Sequence, residues 1–242
     1  MSEEPFRVVA GGPDRPKIAA GLLVFDGVTL LDVIGPHTVF ALAGMEIQLV
    51  SETSLPVTTD TSIRLSPDVT IDRCPQDLDI LCVPGGGVAD AMRSVTVRDF
   101  LCDRASTARY VTSVCSGALI LAAAGLLDGY RAATHWATRD VLARFPVEVS
   151  TERVCTDRNR ITGGGITAGI DFGLTVVGEV LGRETAEFVQ LGMEYDPQPP
   201  FDAGSPEKAG AALTSLFTTV TKPVFQPVLD AATAVLDRRS QE

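Results

Sequence analysis

The stretch YVTSVCSGALILAAAGLL, Tyr110 to Leu127, changes character in its middle. Tyr110 to Val114 is rich in β-branched residues and has the composition of a strand. Ser116 to Leu127 has the Ala and Leu content of a buried helix. Cys115 stands in the turn between them, with the small residues Ser113 and Gly117 close by to let the chain bend. The same strand, turn, helix grammar repeats on the amino-terminal side. Leu78 to Pro84 (LDILCVP) is a nearly continuous apolar run, as a strand covered on both faces requires, and Gly85 to Gly87 lead into a helical pattern from Val88 to about Ala108. Ile18 to Phe25 (IAAGLLVF) is a further such run, followed by helix-like spacing from Leu30 to Leu42. Ile47 to Val50 supplies another strand, and Val57 to Ile71 reads as a hairpin or small β excursion.

On the carboxyl side, Val147 to Ile161 reads as two short strands around Asp157 to Asn159, and Gly163 to Gly165 open a long apolar helix through Leu181. Strands alternating with helices predict an α/β sandwich around a largely parallel sheet. The run DPQPPFDAGSP carries four prolines and reads as a surface loop. Ser205 and Pro206 then form a helix start, and Pro223 and Pro227 are expected to interrupt the C-terminal helix. The division is a flexible arm over 1–16, one domain over 17–206 and a helical extension over 207–242.

The 242 residues suit a single core, and an apolar content of 45% excludes disorder for most of the chain. The 31 acidic against 20 basic residues leave a net charge of −11, which argues against nucleic acid and anionic membrane surfaces as partners. The N-terminus lacks the basic and apolar regions of a secretory signal, and the apolar stretch Ala118 to Leu127 ends at Asp128, far short of a bilayer span. Five cysteines without CxxC spacing fit reduced thiols, so a cytoplasmic location is expected.

Cys115 is the sharpest chemical signal. A thiol at the apex of such a turn faces the N-terminus of the following helix, whose free N–H groups favour an anion, so a lowered pKa and a nucleophilic thiolate are expected. The alternative, a small buried cysteine, is weakened by the strand, turn and helix context. Asp32, inside the apolar run TLLDVIGP, needs a partner if buried. It reads either as the N-cap of the helix containing Pro36 or as a carboxyl group facing Cys115 across the carboxyl ends of parallel strands. Gly163 to Ala168 matches a loose GxGxxA pattern, but Glu184 follows a helix rather than a second strand, so a dinucleotide site is not expected. The glycine turns are better suited to bringing backbone N–H groups near a developing negative charge. The two histidines, His37 and His135, belong to no cluster with metal-ligand spacing, and no metal is expected. His135, beside Trp136, is a candidate orienting group for the thiol or a structural histidine.

Together, FDGVTLLDVIGPH, DILCVPGGG, ARYVTSVCSGALILAAAGLLDGYRAATHWA, RNRITGGGITAGIDFGL and MEYDPQPPFDAGSPEKA resemble the DJ-1/PfpI superfamily and, within it, the isonitrile hydratases. The resemblance covers roughly residues 17 to 210. It implies a flavodoxin-like three-layer sandwich, a homodimer, a nucleophile at Cys115, an acidic partner at Asp32, and cofactor-free hydration of an isonitrile to an N-substituted formamide through a covalent thioimidate. Gly86, Gly87 and Ser116 are then candidate N–H donors to the reacting end, and Ile166 a candidate apolar wall. Serine at 116 departs from the threonine associated with the hydratases, and the lack of a histidine there counts against the protease-like and glyoxalase-like branches. Two other readings stay open: a redox sensor built on an oxidisable Cys115, and the ligand-sensing half of a transcription regulator.

Overall fold

The computed structural model describes residues 17–241, so the expected arm over 1–16 lies outside the described residues. In chain order the elements are β1 (Ala19–Leu23), α1 (Leu30–Leu42), β2 (Glu46–Ser51), β3 (Val57–Thr58), β4 (Arg64–Leu65), β5 (Val69–Thr70), β6 (Ile80–Val83), α2 (Ala89–Arg93) and α3 (Val95–Ala105). Then follow β7 (Tyr110–Val114), α4 (Gly117–Ala123), β8 (Arg131–Ala133), α5 (Arg139–Leu142), β9 (Glu148–Ser150), β10 (Val154–Asp157), β11 (Arg160–Gly163), α6 (Ala168–Leu181), α7 (Arg183–Gly192) and α8 (Pro206–Arg239).

Among the described residues, the main sheet has seven strands in the order β10-β11-β7-β6-β1-β2-β5. Every pair is parallel except the β10–β11 hairpin. The apolar runs look continuous because the sheet is covered twice. On β6, Ile80 and Cys82 join the cluster with Leu22, Val114, Phe172 and Val176, while Leu81 and Val83 join Leu23, Val111, Leu119 and Leu121 on the other face. Helices α1, α6 and α7 cover the first face, and α2, α3, α4 and α8 the second. This is the expected three-layer sandwich. Its parallel register brings the turns after β1, β6, β7 and β11 to one edge.

Several local readings change. The segment from Val88 to Ala108 is two helices, broken at Ser94, whose hydroxyl accepts the Val97 N–H at 3.2 Å and starts α3 anew. Val147 to Ile161 holds β9 and β10 and the start of β11, with β9 paired to β8 beside the main sheet. Pro223 and Pro227 do not interrupt α8. Each removes one intrahelical N–H, and the carbonyls left over, of Thr219 and Pro223, belong to exposed residues that water can reach. The kink falls instead at Gly210, where φ is +80°. From Val228 onward α8 is core: Val228, Ala231, Ala232 and Val235 are buried against the second face, and Arg239 pairs with Asp128. Among the described residues, no helix is long and apolar enough to cross a membrane.

Candidate active site

β7 is held on both sides, by β6 and β11, so the chain can leave the sheet only by a sharp turn. Cys115 makes that turn with φ at +56°, a left-handed conformation that costs a non-glycine residue about 1–3 kcal/mol. The surroundings hold it there. Its N–H donates to the carbonyls of Gly163 (3.1 Å) and Gly164 (2.8 Å) at the end of β11, and its own carbonyl accepts from the Thr134 hydroxyl at 2.9 Å. Two glycines permit the crowding. A Cβ on Gly117 would sit 2.1 Å from the Val83 carbonyl oxygen, and one on Gly85 would sit 2.6 Å from Ser116 N and 2.9 Å from Asp32 Oδ2. Both clashes are with groups that cannot retreat, so these positions admit no side chain.

Asp32 reaches the same place from α1. Thr29 occupies the N-cap position, so the N-cap reading of Asp32 is replaced; the carboxyl group lies in the first turn, fully buried, with Oδ2 accepting the Gly85 N–H at 3.1 Å. Oδ1 has no hydrogen-bond partner. The Cys115 thiol and this carboxyl group lie close enough for each to shift the other's pKa. Burial pushes the Asp32 pKa up to about 7, against the Gly85 N–H and the thiol, which favour the anion. The expectation of a lowered thiol pKa is overturned. Burial first and the Asp32 charge second push the Cys115 thiol up, while the Ser116 N–H pulls the other way. A helix N-terminus cannot outweigh the loss of water around a thiolate beside a carboxylate. The resting pair is therefore a thiol next to a carboxyl group that titrates near neutrality. Protonating Asp32 removes the charge that opposes the thiolate.

The remaining expected site residues divide. The Ser116 N–H faces the sulfur, and its hydroxyl accepts the Gly86 N–H at 3.0 Å. Gly86 is thus a support for Ser116 rather than a free donor, and the Gly87 N–H is bonded to the Gly27 carbonyl at 2.8 Å. Both were expected as donors to the reacting end; the tight turn after β6 engages them internally. Ile166 lines a cavity of about 550 Å³ together with His135, Trp136 and Phe201 of the proline loop. Thr134 and Gly164, which bond the Cys115 backbone, also belong to its wall. Among the described residues no hydrogen bond joins His135 to the Cys115 thiol. Its Nδ1 accepts the Ala137 N–H at 3.2 Å, its ring neighbours those of Trp136 and Phe225, and burial lowers its pKa. Thr134 and Gly85 were missed. Sequence offered only a hydroxyl in the alanine-rich segment before His135 and one glycine among three.

Fold and site define an α/β protein with a cysteine at a strand-to-helix elbow and a buried carboxyl partner. The chain belongs to the DJ-1/PfpI family, whose sequence pattern matches residues 19–179. It is 49% identical over 195 residues to the isonitrile hydratase of Pseudomonas putida, a match spanning 80% of this chain and 85% of that protein. It is 35% identical over 195 residues to the HTH-type transcriptional regulator GbdR of Pseudomonas aeruginosa, covering 76% of this chain but 52% of the regulator. Among solved structures, a ThiJ/PfpI family protein from Pseudomonas syringae superposes with a TM-score of 0.87 at 41% identity, covering 96% of this chain and 98% of the other. DJ-1beta of Drosophila melanogaster shares the fold, with a TM-score of 0.69 at 22% identity over 74% of this chain and 98% of that one.

Proposed function

We propose that this chain is an isonitrile hydratase, with Cys115 as nucleophile and Asp32 as the proton carrier. The observation that carries the reading is the juxtaposition of the elbow thiol with a buried carboxyl group whose pKa is pushed up to about 7. A group titrating there both gives and takes a proton at neutral pH. The relationship to the Pseudomonas putida enzyme supports the choice of substrate.

In the proposed cycle the sulfur attacks the terminal carbon of R–N≡C. The thiol proton passes to Asp32 and from it to that same carbon, forming the thioimidate R–N=CH–S–Cys115. Water then adds to the carbon, and the proton it gives up passes through Asp32 Oδ1 to the nitrogen. Collapse of R–NH–CH(OH)–S–Cys115 expels the thiolate as the hydroxyl proton passes through Asp32 to the sulfur, and releases R–NH–CHO. The sum is isonitrile plus water, and no cofactor enters.

The catalytic unit is residues 17–206, braced by the extension over 207–242, and the active form is a cytoplasmic homodimer. Leu31, Ile34 and Ile166, each about 40% exposed, support a second copy as the cover for apolar surface around the site. A panel of isonitriles assayed for formamide tests the activity, and light scattering at micromolar concentration tests the dimer. Turnover of none of the panel, with Cys115 oxidised to a sulfinic acid by mild peroxide, would replace this reading with the redox sensor.

A further inference from the structure

The Cys115 carbonyl and the Ser116 N–H belong to one peptide unit. In a trans peptide they point in opposite directions, so whatever fixes the carbonyl also aims the N–H. That N–H faces the sulfur. Among the described residues no backbone N–H reaches the Cys115 carbonyl, and its partner is the Thr134 hydroxyl at 2.9 Å. Thr134 is 1% exposed and its oxygen lies 2.9 Å from that of Thr138, so its hydroxyl is held within a buried pair. The residue it holds is strained, at φ +56°, and so has a conformational alternative to relax into.

We propose that Thr134 is a positioning residue for the nucleophile: its hydroxyl locks the Cys115–Ser116 peptide so that the Ser116 N–H is aimed at the sulfur and at the charge that develops beside it. The inference rests on Cys115 being the nucleophile, not on the identity of the substrate. Thr134 never touches the reacting atoms. It acts through a peptide plane, delivered from the segment after β8 to the turn after β7.

The test compares Thr134→Val with Thr112→Val. Thr112 is a matched control: it is fully buried on β7 and donates to the Leu81 carbonyl at 3.0 Å, away from the elbow. The rate of Cys115 alkylation by iodoacetamide is followed against pH with peptide mapping; the charged group facing the thiol is Asp32, with Asp60 behind it. Thr134→Val is expected to slow alkylation by about 10- to 100-fold near neutral pH and to move its midpoint upward. That is somewhat less than the 10²–10³ lost when a donor is removed outright. Thr112→Val is expected to keep the parental profile. For isonitrile turnover, Thr134→Val is expected to lower kcat with little change in KM.

A parental profile in Thr134→Val overturns the proposal, as does an equal shift in Thr112→Val. If Thr134→Val does not fold, Thr134→Ser and Thr134→Ala replace it: a parental profile in the first with a shift in the second supports the hydroxyl, and identical behaviour overturns it. Should the parent turn over no isonitrile while the alkylation profiles differ as expected, the substrate reading fails and the role of Thr134 stands.

Discussion

Cys82 lies on β6 and Cys115 just past the end of the neighbouring β7, yet their chemistry diverges. Both thiols are pushed up by burial, Cys82 to about 12. Cys82 lies in the regular run of β6, opposite Thr112 of β7, and the hydrogen-bonding side chain near it is that hydroxyl. Cys115 stands just past the end of β7 in a left-handed turn, against the Asp32 carboxyl group. Burial alone silences a thiol. Burial beside a carboxyl group places a proton acceptor next to the thiol.

The strongest way to break that contrast is to remove each thiol in turn. Cys115→Ala is expected to lower isonitrile turnover by roughly 10⁴-fold or more, the order lost when a nucleophile is deleted. Equal activity in Cys115→Ala and Cys82→Ala would end the nucleophile assignment. Next in size is Asp32→Asn, which keeps the shape but cannot cycle a proton, and turnover is expected to fall by roughly 10²- to 10⁴-fold. Its melting temperature should match or exceed the parent's, because a neutral amide replaces a buried ionisable group. A near-parental rate would assign proton transfer to another group or to water.

A smaller effect is thermodynamic. Asp32 is raised from 3.8 in the unfolded chain to about 7 in the fold, so between these values the native state holds a proton that the unfolded state has lost. Its contribution therefore favours folding most below about pH 4, declines as pH rises through that window, and is flat above about pH 7, a change of about 4 kcal/mol at most. Urea titrations across pH, parent against Asp32→Asn, measure it; a parental slope that persists in the variant would remove Asp32 as its source. Smallest is Cys82→Ala, expected to cost about 1 kcal/mol for the lost sulfur contacts and to leave turnover unchanged. In the native protein Cys82 should resist iodoacetamide while Cys115 reacts, and preferential labelling of Cys82 would invert the comparison.

The layered fold was legible because β1 and β6 lie in short apolar runs followed by glycine-containing turns, and β7 in a β-branched run that gives way to an Ala- and Leu-rich helix. Cys115 was legible for the same reason, since the change from β-branched to Ala- and Leu-rich composition brackets it. The prolines of α8 misled because their cost depends on whether the freed carbonyls can reach water, which is a property of the surface and not of the residue.

Local composition and spacing thus determined by themselves the order of the elements, the double covering of the sheet and the cysteine at the elbow, because each depends on residues close in the chain. Only the tertiary structure decided that Asp32 meets Cys115 rather than capping its helix, that both groups are raised, that the Gly86 and Gly87 N–H groups are engaged within the turn, and that Thr134 holds the Cys115 carbonyl. Each of these is a contact across the sheet edge between residues distant in sequence. Their energies come from water excluded by the whole assembly, and no window of sequence contains that.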